Sequence, residues 1–147
     1  MATLKELKIQ VVKNYIQSCV PNNRSYNTYV YGKISSKVLN NARSCYANSI
    51  SKEQVLGIID TSFWGNGKSG IVFGEFGYSV SNRQTKYIEY PQTLGSDFTE
   101  YNIDIVNKIS RKIYEIDERD RQDDEFVADI TKGLIKGGIN LLLGRFF

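Results

Sequence analysis

The residues able to do chemistry cluster between positions 60 and 70. Asp60 closes the apolar run Val55-Leu-Gly-Ile-Ile59, and Lys68 follows across the glycine-rich stretch Gly65-Asn-Gly67. A carboxylate and an ammonium on two sides of a turn could act as acid and base, so an enzyme of unknown class using Asp60 is one reading. The other is structural: an Asp at a strand end accepts hydrogen bonds from the amides of the turn that follows. No second carboxylate is paired with Asp60 by spacing. Gly67-Lys68-Ser69 looks like the end of a phosphate-binding loop. That motif needs a glycine where Ser62 stands, and a helix after it whose N-terminal amides hold the phosphate. Gly70–Phe73 reads instead as a strand, so the segment is expected to be a glycine hairpin.

The chain contains no histidine and two cysteines, Cys19 and Cys45. Serine–histidine and cysteine–histidine nucleophile systems and every histidine-containing metal site are therefore excluded, and two cysteines cannot complete a four-thiolate site. No catalytic residue, cofactor or metal is assigned. Two cysteines do not make a disulfide framework, so free thiols and a cytoplasmic location are the expectation, with a Cys19–Cys45 bridge as the alternative. The N-terminus lacks the apolar run of a secretory signal, and no stretch is long and apolar enough to span a bilayer.

What the composition favours is binding. Ten tyrosines and seven phenylalanines stand against one tryptophan, and tyrosine suits interfaces because it offers a ring and a hydroxyl together. The candidate contact residues are Trp64 at the turn tip, which could equally fold over the sheet edge, Lys68 beside it, Tyr29 and Tyr31 in the strand-like Thr28–Tyr31, and the terminal pair Phe146 and Phe147. Charge is uneven. Residues 1–53 carry eight Lys/Arg against two Asp/Glu, whereas the remainder is slightly acidic, for a net +3 overall. A basic N-terminal third could meet an acidic protein or an anionic lipid surface, or could simply be a solvated helix face. Nucleic acid is not expected.

These residues need elements to position them. Thr3-Leu-Lys-Glu6 is a capping box, and Leu4, Leu7, Val11, Tyr15 and Cys19 recur at helical spacing until Pro21. A second helix opens at Ser35 or Ser36 and runs to about Asn48, with Ile34, Val38, Leu39, Ala42, Cys45 and Tyr46 on one face. Gln54–Phe63 reads as a strand buried on both faces. Gly70–Phe73, Tyr78–Asn82 and Lys86–Tyr90 follow, joined by turns at Gly65-Asn66-Gly67, Glu75-Phe76-Gly77 and Asn82-Arg83-Gln84. Connections this short require antiparallel pairing. From about Thr99, Ile105, Val106, Ile109, Ile113 and Ile116 keep helical spacing. Asp117–Glu125 is either a charged break between helices or a solvated continuation. A last helix over Asp124–Leu143 carries acidic residues at its start and basic ones later. Glycines 133, 137 and 144 in the tail Gly133–Phe147 share a face and suit close packing, whether on the chain itself, in a homo- or hetero-oligomer contact, or at a membrane surface.

Lys33–Ala42 followed by Val55–Phe73 resembles small bacterial proteins with a pleckstrin-homology-like domain. Asp60-Thr61, Gly67-Lys68-Ser69-Gly70 and Gly77-Tyr78 carry the likeness, which covers about residues 33–90. Such domains have about seven strands closed by a C-terminal helix. Here a helix follows Tyr90 quickly, so the second sheet is missing or shortened. The resemblance implies a binding or scaffold module with no shared enzymatic activity.

Together these readings predict one domain over 1–147 of α+β class: a helical N-terminal part (1–50), an antiparallel meander with a central first strand (54–90), and C-terminal helices (99–145). The expected function is non-enzymatic protein binding, in its concrete form an inhibitor or immunity protein that neutralises a bacterial toxin. The alternatives are a peripheral, lipid-binding module and an enzyme using Asp60. Self-association through the C-terminal helix is a further expected contact.

Overall fold

The computed structural model describes residues 2–81 and 85–131, with 123–131 as backbone only. It is an α+β protein built on a five-stranded antiparallel meander, and among the described residues it has three α-helices. The strands β1 (Asn27–Val30), β2 (Val55–Asp60), β3 (Gly70–Gly74), β4 (Gly77–Val80) and β5 (Lys86–Glu89) lie in chain order across the sheet. β2 is an inner strand, with Ile59 opposite Thr28 on one side and Ile71 on the other; β3 occupies the centre. β2 stops at Asp60 rather than Phe63 because the chain leaves the sheet there to form a longer loop than a tight hairpin. Asn27–Val30, inside the nominally helical N-terminal part, supplies the edge strand β1. The expected turn at Asn82-Arg83-Gln84 lies outside the described residues.

Both faces of the sheet are covered, which is why every residue of β2, β3 and β4 is buried. On one face, Leu56, Ile59, Ile71, Phe73, Tyr78, Val80 and Ile88 pack against helices α1 (Leu4–Tyr15) and α3 (Ile103–Thr131). On the other, Val55, Ile58 and Val72 pack against α2 (Ser36–Cys45) and the Ala47–Ile50 segment after it. Each fully buried aliphatic side chain contributes about 1.5–3 kcal/mol.

The caps form where the sequence places them. Thr3 Oγ1 accepts the Glu6 amide at 3.1 Å, and Ser35 Oγ accepts the Val38 amide at 3.5 Å. The faces differ from expectation. The buried stripe of α1 is Lys8, Val12, Ile16 and the following Cys19, whereas Leu4, Leu7, Val11 and Tyr15 are half-buried. α1 touches two neighbours: Val12 and Ile16 press on β2 at Gly57, where a Cβ would stand 2.6 Å from Val12 Cγ1, and the flanking residues meet α3. Lys8 is 2% exposed because its ammonium has partners in place: Asp117 Oδ2 on α3 at 3.0 Å and the Glu75 carbonyl at 2.9 Å. On α2 the buried set is Val38 and Ala42, continued by Tyr46; Cys45, expected on that face, points to solvent. Both thiols are free. Cys19 is buried in the core on the α1–α3 side, so no Cys19–Cys45 bridge forms.

α3 begins at Ile103, with Val106, Ile109, Ser110 and Ile113 buried, and runs without a break through the charged stretch. The described part of the helix expected from Asp124, through Thr131, therefore continues α3, and the remainder of that expected helix lies outside the described residues. The charges there are accommodated as ion pairs, Asp117 with Lys8 and Glu118 with Arg121 one turn on. Among the described residues no helix is long and apolar enough to cross a membrane.

Candidate functional site

Residues 61–69, between β2 and β3, form a loop with a rigid base and an apolar tip. Asp60, 1% exposed, organises the base. Its Oδ1 accepts the Ser62 amide at 2.9 Å and the Ser62 hydroxyl at 2.5 Å, and its Oδ2 accepts the Gly67 amide at 3.2 Å. Ser62 Oγ in turn accepts the Asn66 amide at 2.9 Å, and Asn66 Oδ1 accepts the Lys68 amide at 3.2 Å. Asn41 on α2 donates to the Asn66 carbonyl at 2.8 Å. Gly65 and Gly67 adopt φ of 65° and 80°, the left-handed region that glycine enters at little cost. Gly67 is also pressed on α2, where a Cβ would lie 2.7 Å from Val38 Cα. The structural reading of Asp60 thus describes its geometry: both carboxylate oxygens are engaged by donors of its own loop.

The tip is different. Phe63 is 89% exposed and Trp64 82% exposed, and their rings meet edge to face with centroids 4.8 Å apart. Neither ring belongs to a core cluster. Two consecutive large aromatic residues held outward from a hydrogen-bonded base form a preorganised apolar projection.

The other candidate contact residues are dispersed. Lys68 is exposed on the same loop. Tyr29, opposite Ile58 in the register, is half-buried against the α2-side core. Tyr31 is 46% exposed beyond the far end of β1, beneath the Lys5 ammonium at 4.6 Å from its ring centre. Because Asn27 pairs with Asp60 and Val30 with Gly57, Tyr31 lies at the opposite end of β1 from the loop. Phe146 and Phe147, together with the whole Gly133–Phe147 tail and any self-association through it, lie outside the described residues. Trp64 and Lys68 thus share one loop, and Tyr31 lies away from it at the other end of β1. Phe63 went unrecognised by sequence. Its signal was adjacency to Trp64 in a glycine loop, where strand alternation no longer forces one neighbour inward.

Beside the loop base, between it and the C-terminal end of α2, lies a cleft of about 490 Å³ whose walls include Tyr46, Thr61, Lys68, Ser69, Glu100 and Tyr101. Burial pushes the Tyr46 and Tyr101 hydroxyls well above the ordinary tyrosine range, so both stay protonated at neutral pH. The Glu100 charge also raises Tyr101, and a hydrogen bond to Thr61 opposes it. A larger groove of about 650 Å³ runs between α1 and α3, past Leu7, Val11, Tyr15, Lys112 and Ile116. Among the described residues no cluster of His, Cys, Asp or Glu could hold a metal ion.

Comparison of the chain with protein-family models, with curated proteins and with solved structures finds no match.

Proposed function

We propose that the protein is a non-enzymatic binding module that docks on another protein through the 61–69 loop, with Phe63 and Trp64 as the anchoring residues. The observation that carries this is their exposure on a base that is already ordered. Aromatic anchors dominate interface energetics, and an anchor that does not have to be ordered on binding loses less entropy. Lys68 adds an exposed cation at the rim, where charge acts on association rate and specificity. The concrete form is a small inhibitor or immunity protein working in the cytoplasm against a toxin domain, a compartment that suits the exposed thiol of Cys45. We also propose the relationship to pleckstrin-homology-like proteins, whose matching residues fall on α2, at the end of β2, in the loop and at the starts of β3 and β4.

The test is co-purification from the native host with the wild-type chain and with Phe63→Ala/Trp64→Ala. A partner protein recovered with the first and lost with the second is the expected result. A partner retained by the double variant would place the interface elsewhere.

A second reading, attachment to a lipid surface, is favoured by the same tip, since tryptophan and phenylalanine settle at the bilayer interface. The basic N-terminal helix supports it less than its composition suggests. Lys8 is buried in an ion pair, and Lys5 is held over Tyr31 with Glu75 3.6 Å away. Flotation with vesicles containing anionic lipid separates the two readings: binding that needs Trp64 but no protein partner would favour the membrane.

A further inference from the structure

We propose that the groove between α1 and α3 is the docking site of this chain's own C-terminal segment, residues 132–147, which lie outside the described residues. The groove has a volume of about 650 Å³ and an apolar floor: Leu7 and Val11 of α1 and Ile116 of α3 are only half-buried, as is Tyr15 at one end. Its walls carry two acids, Glu6 and Glu115. Both are exposed, and neither joins an ion pair among the described residues. Of the cations there, Lys112 is turned onto the Tyr15 ring, 5.8 Å from its centre. An apolar floor beneath unpaired carboxylates fits an occupant that is both apolar and basic.

Residues 132–147 have that chemistry. Leu134, Ile135, Ile139, Leu141–Leu143, Phe146 and Phe147 are apolar, and the charged side chains are Lys132, Lys136 and Arg145, with no acid among them. The chain also delivers the segment to the right place. Lys8 pairs with Asp117, and Tyr15 lies under Lys108, so α1 and α3 run antiparallel. α1 starts at Leu4, whereas α3 continues to Thr131, well past that level. The end of the groove lined by Ala2, Glu6 and Arg119 is therefore the end nearer to where the chain leaves α3. Arg119 stands about 18 Å back from Thr131 along the helix, and a segment of this length covers about 24 Å if helical and more if extended, so it reaches the groove. Tethered at Thr131, it meets the groove at an effective concentration of about millimolar, which favours it over a free partner of similar chemistry. Docking removes apolar surface of the floor and of the segment from water together. The groove and the 61–69 loop share no residue, so this inference does not rest on the docking reading.

The test is paramagnetic broadening of amide signals in the full chain. A nitroxide is attached to Asn140→Cys in a Cys45→Ser background, where the remaining thiol, Cys19, is buried. Selective broadening around Val11 and Ile116 is expected, with the amides of α2, on the opposite face of the sheet, unaffected. A mixture of isotope-labelled chain without nitroxide and nitroxide-bearing chain without isotope should show none, because the contact is within one chain. Val11→Asp should abolish the broadening. Glu6→Lys/Glu115→Lys, which alters exposed side chains alone, should lower the docked-to-free ratio by up to about fivefold for each charge. Phe63→Ala/Trp64→Ala should leave the broadening intact, so failure of the docking reading and failure of this one are distinguishable. No selective broadening at the groove would overturn the proposal. So would broadening in the mixed sample, which would put the segment on a second copy, and so would broadening that survives both groove variants unchanged.

Discussion

The two hairpin connections that flank β3 look alike in sequence, each bounded by or containing glycines and carrying at least one large aromatic residue, and they are used in opposite ways. At the β3–β4 turn, Phe76 is 55% exposed but lies under the Lys8 ammonium at 4.5 Å. The turn is fastened from several sides. Lys8 donates to the Glu75 carbonyl, Tyr90 N–H donates to the Phe76 carbonyl at 3.3 Å, and the Tyr90 hydroxyl donates to the Gly74 carbonyl at 2.8 Å. The β2–β3 loop is braced from within by Asp60 and tethered to α2 through Asn41, while Phe63 and Trp64 point to solvent. An exposed aromatic residue is therefore informative only once its neighbours are known. Phe76 belongs to the fold, and the Phe63–Trp64 pair is in excess of what the fold requires.

The largest effect expected from this contrast is alkaline unfolding that begins at the fastened turn. Burial pushes the hydroxyls of Tyr78 and Tyr90 above the ordinary value of 10.0. The folded protein keeps these protons while the unfolded chain releases them. Stability is therefore intact below about pH 10 and falls above it, by roughly 1.4 kcal/mol per pH unit for each such tyrosine. The part of the tyrosinate absorbance change that belongs to the buried hydroxyls should coincide with the loss of circular dichroism in one cooperative step. Ionisation of all ten tyrosines with the fold intact would show that the turn is not sealed.

Next in size is Asp60→Ala, which leaves the Ser62 and Gly67 amides and the Ser62 hydroxyl without their acceptor. A loss of roughly 3–4 kcal/mol in urea unfolding is expected. A loss below about 1 kcal/mol would mean that the loop does not depend on this carboxylate.

Lys8→Ala should cost roughly 2–3 kcal/mol. That is below the figure for a fully buried pair, because the Asp117 side chain keeps 34% of its exposure. The same variant should leave partner capture by the 61–69 loop unchanged, since Lys8 serves the other turn. Lost capture in a folded Lys8→Ala protein would dissolve the distinction between the two regions.

What the sequence made legible was mostly local. Thr3 and Ser35 announce their caps, Gly65 and Gly67 announce positive φ, and three short connections force a meander. The features it hid depend on residues far apart in the chain. Lys8 reads as solvated until Asp117, 109 residues away, is placed beside it. The cleft is assembled from the end of α2, the loop base and the segment before α3, so no window of sequence contains it. Trp64 was legible as a turn-tip residue. Its pairing with Phe63 was not, because only the loop's hydrogen bonds decide that both rings face outward.

The central claim is that Phe63 and Trp64 do not contribute to the fold. It is tested most directly by the unfolding free energy of Phe63→Ala/Trp64→Ala, measured in urea by far-ultraviolet circular dichroism against the wild-type chain. A difference within about 0.5 kcal/mol is predicted, as for surface substitutions in general. A loss of more than about 2 kcal/mol would contradict it, because the two rings would then be packing residues like Phe76 and not a surface held ready for a partner.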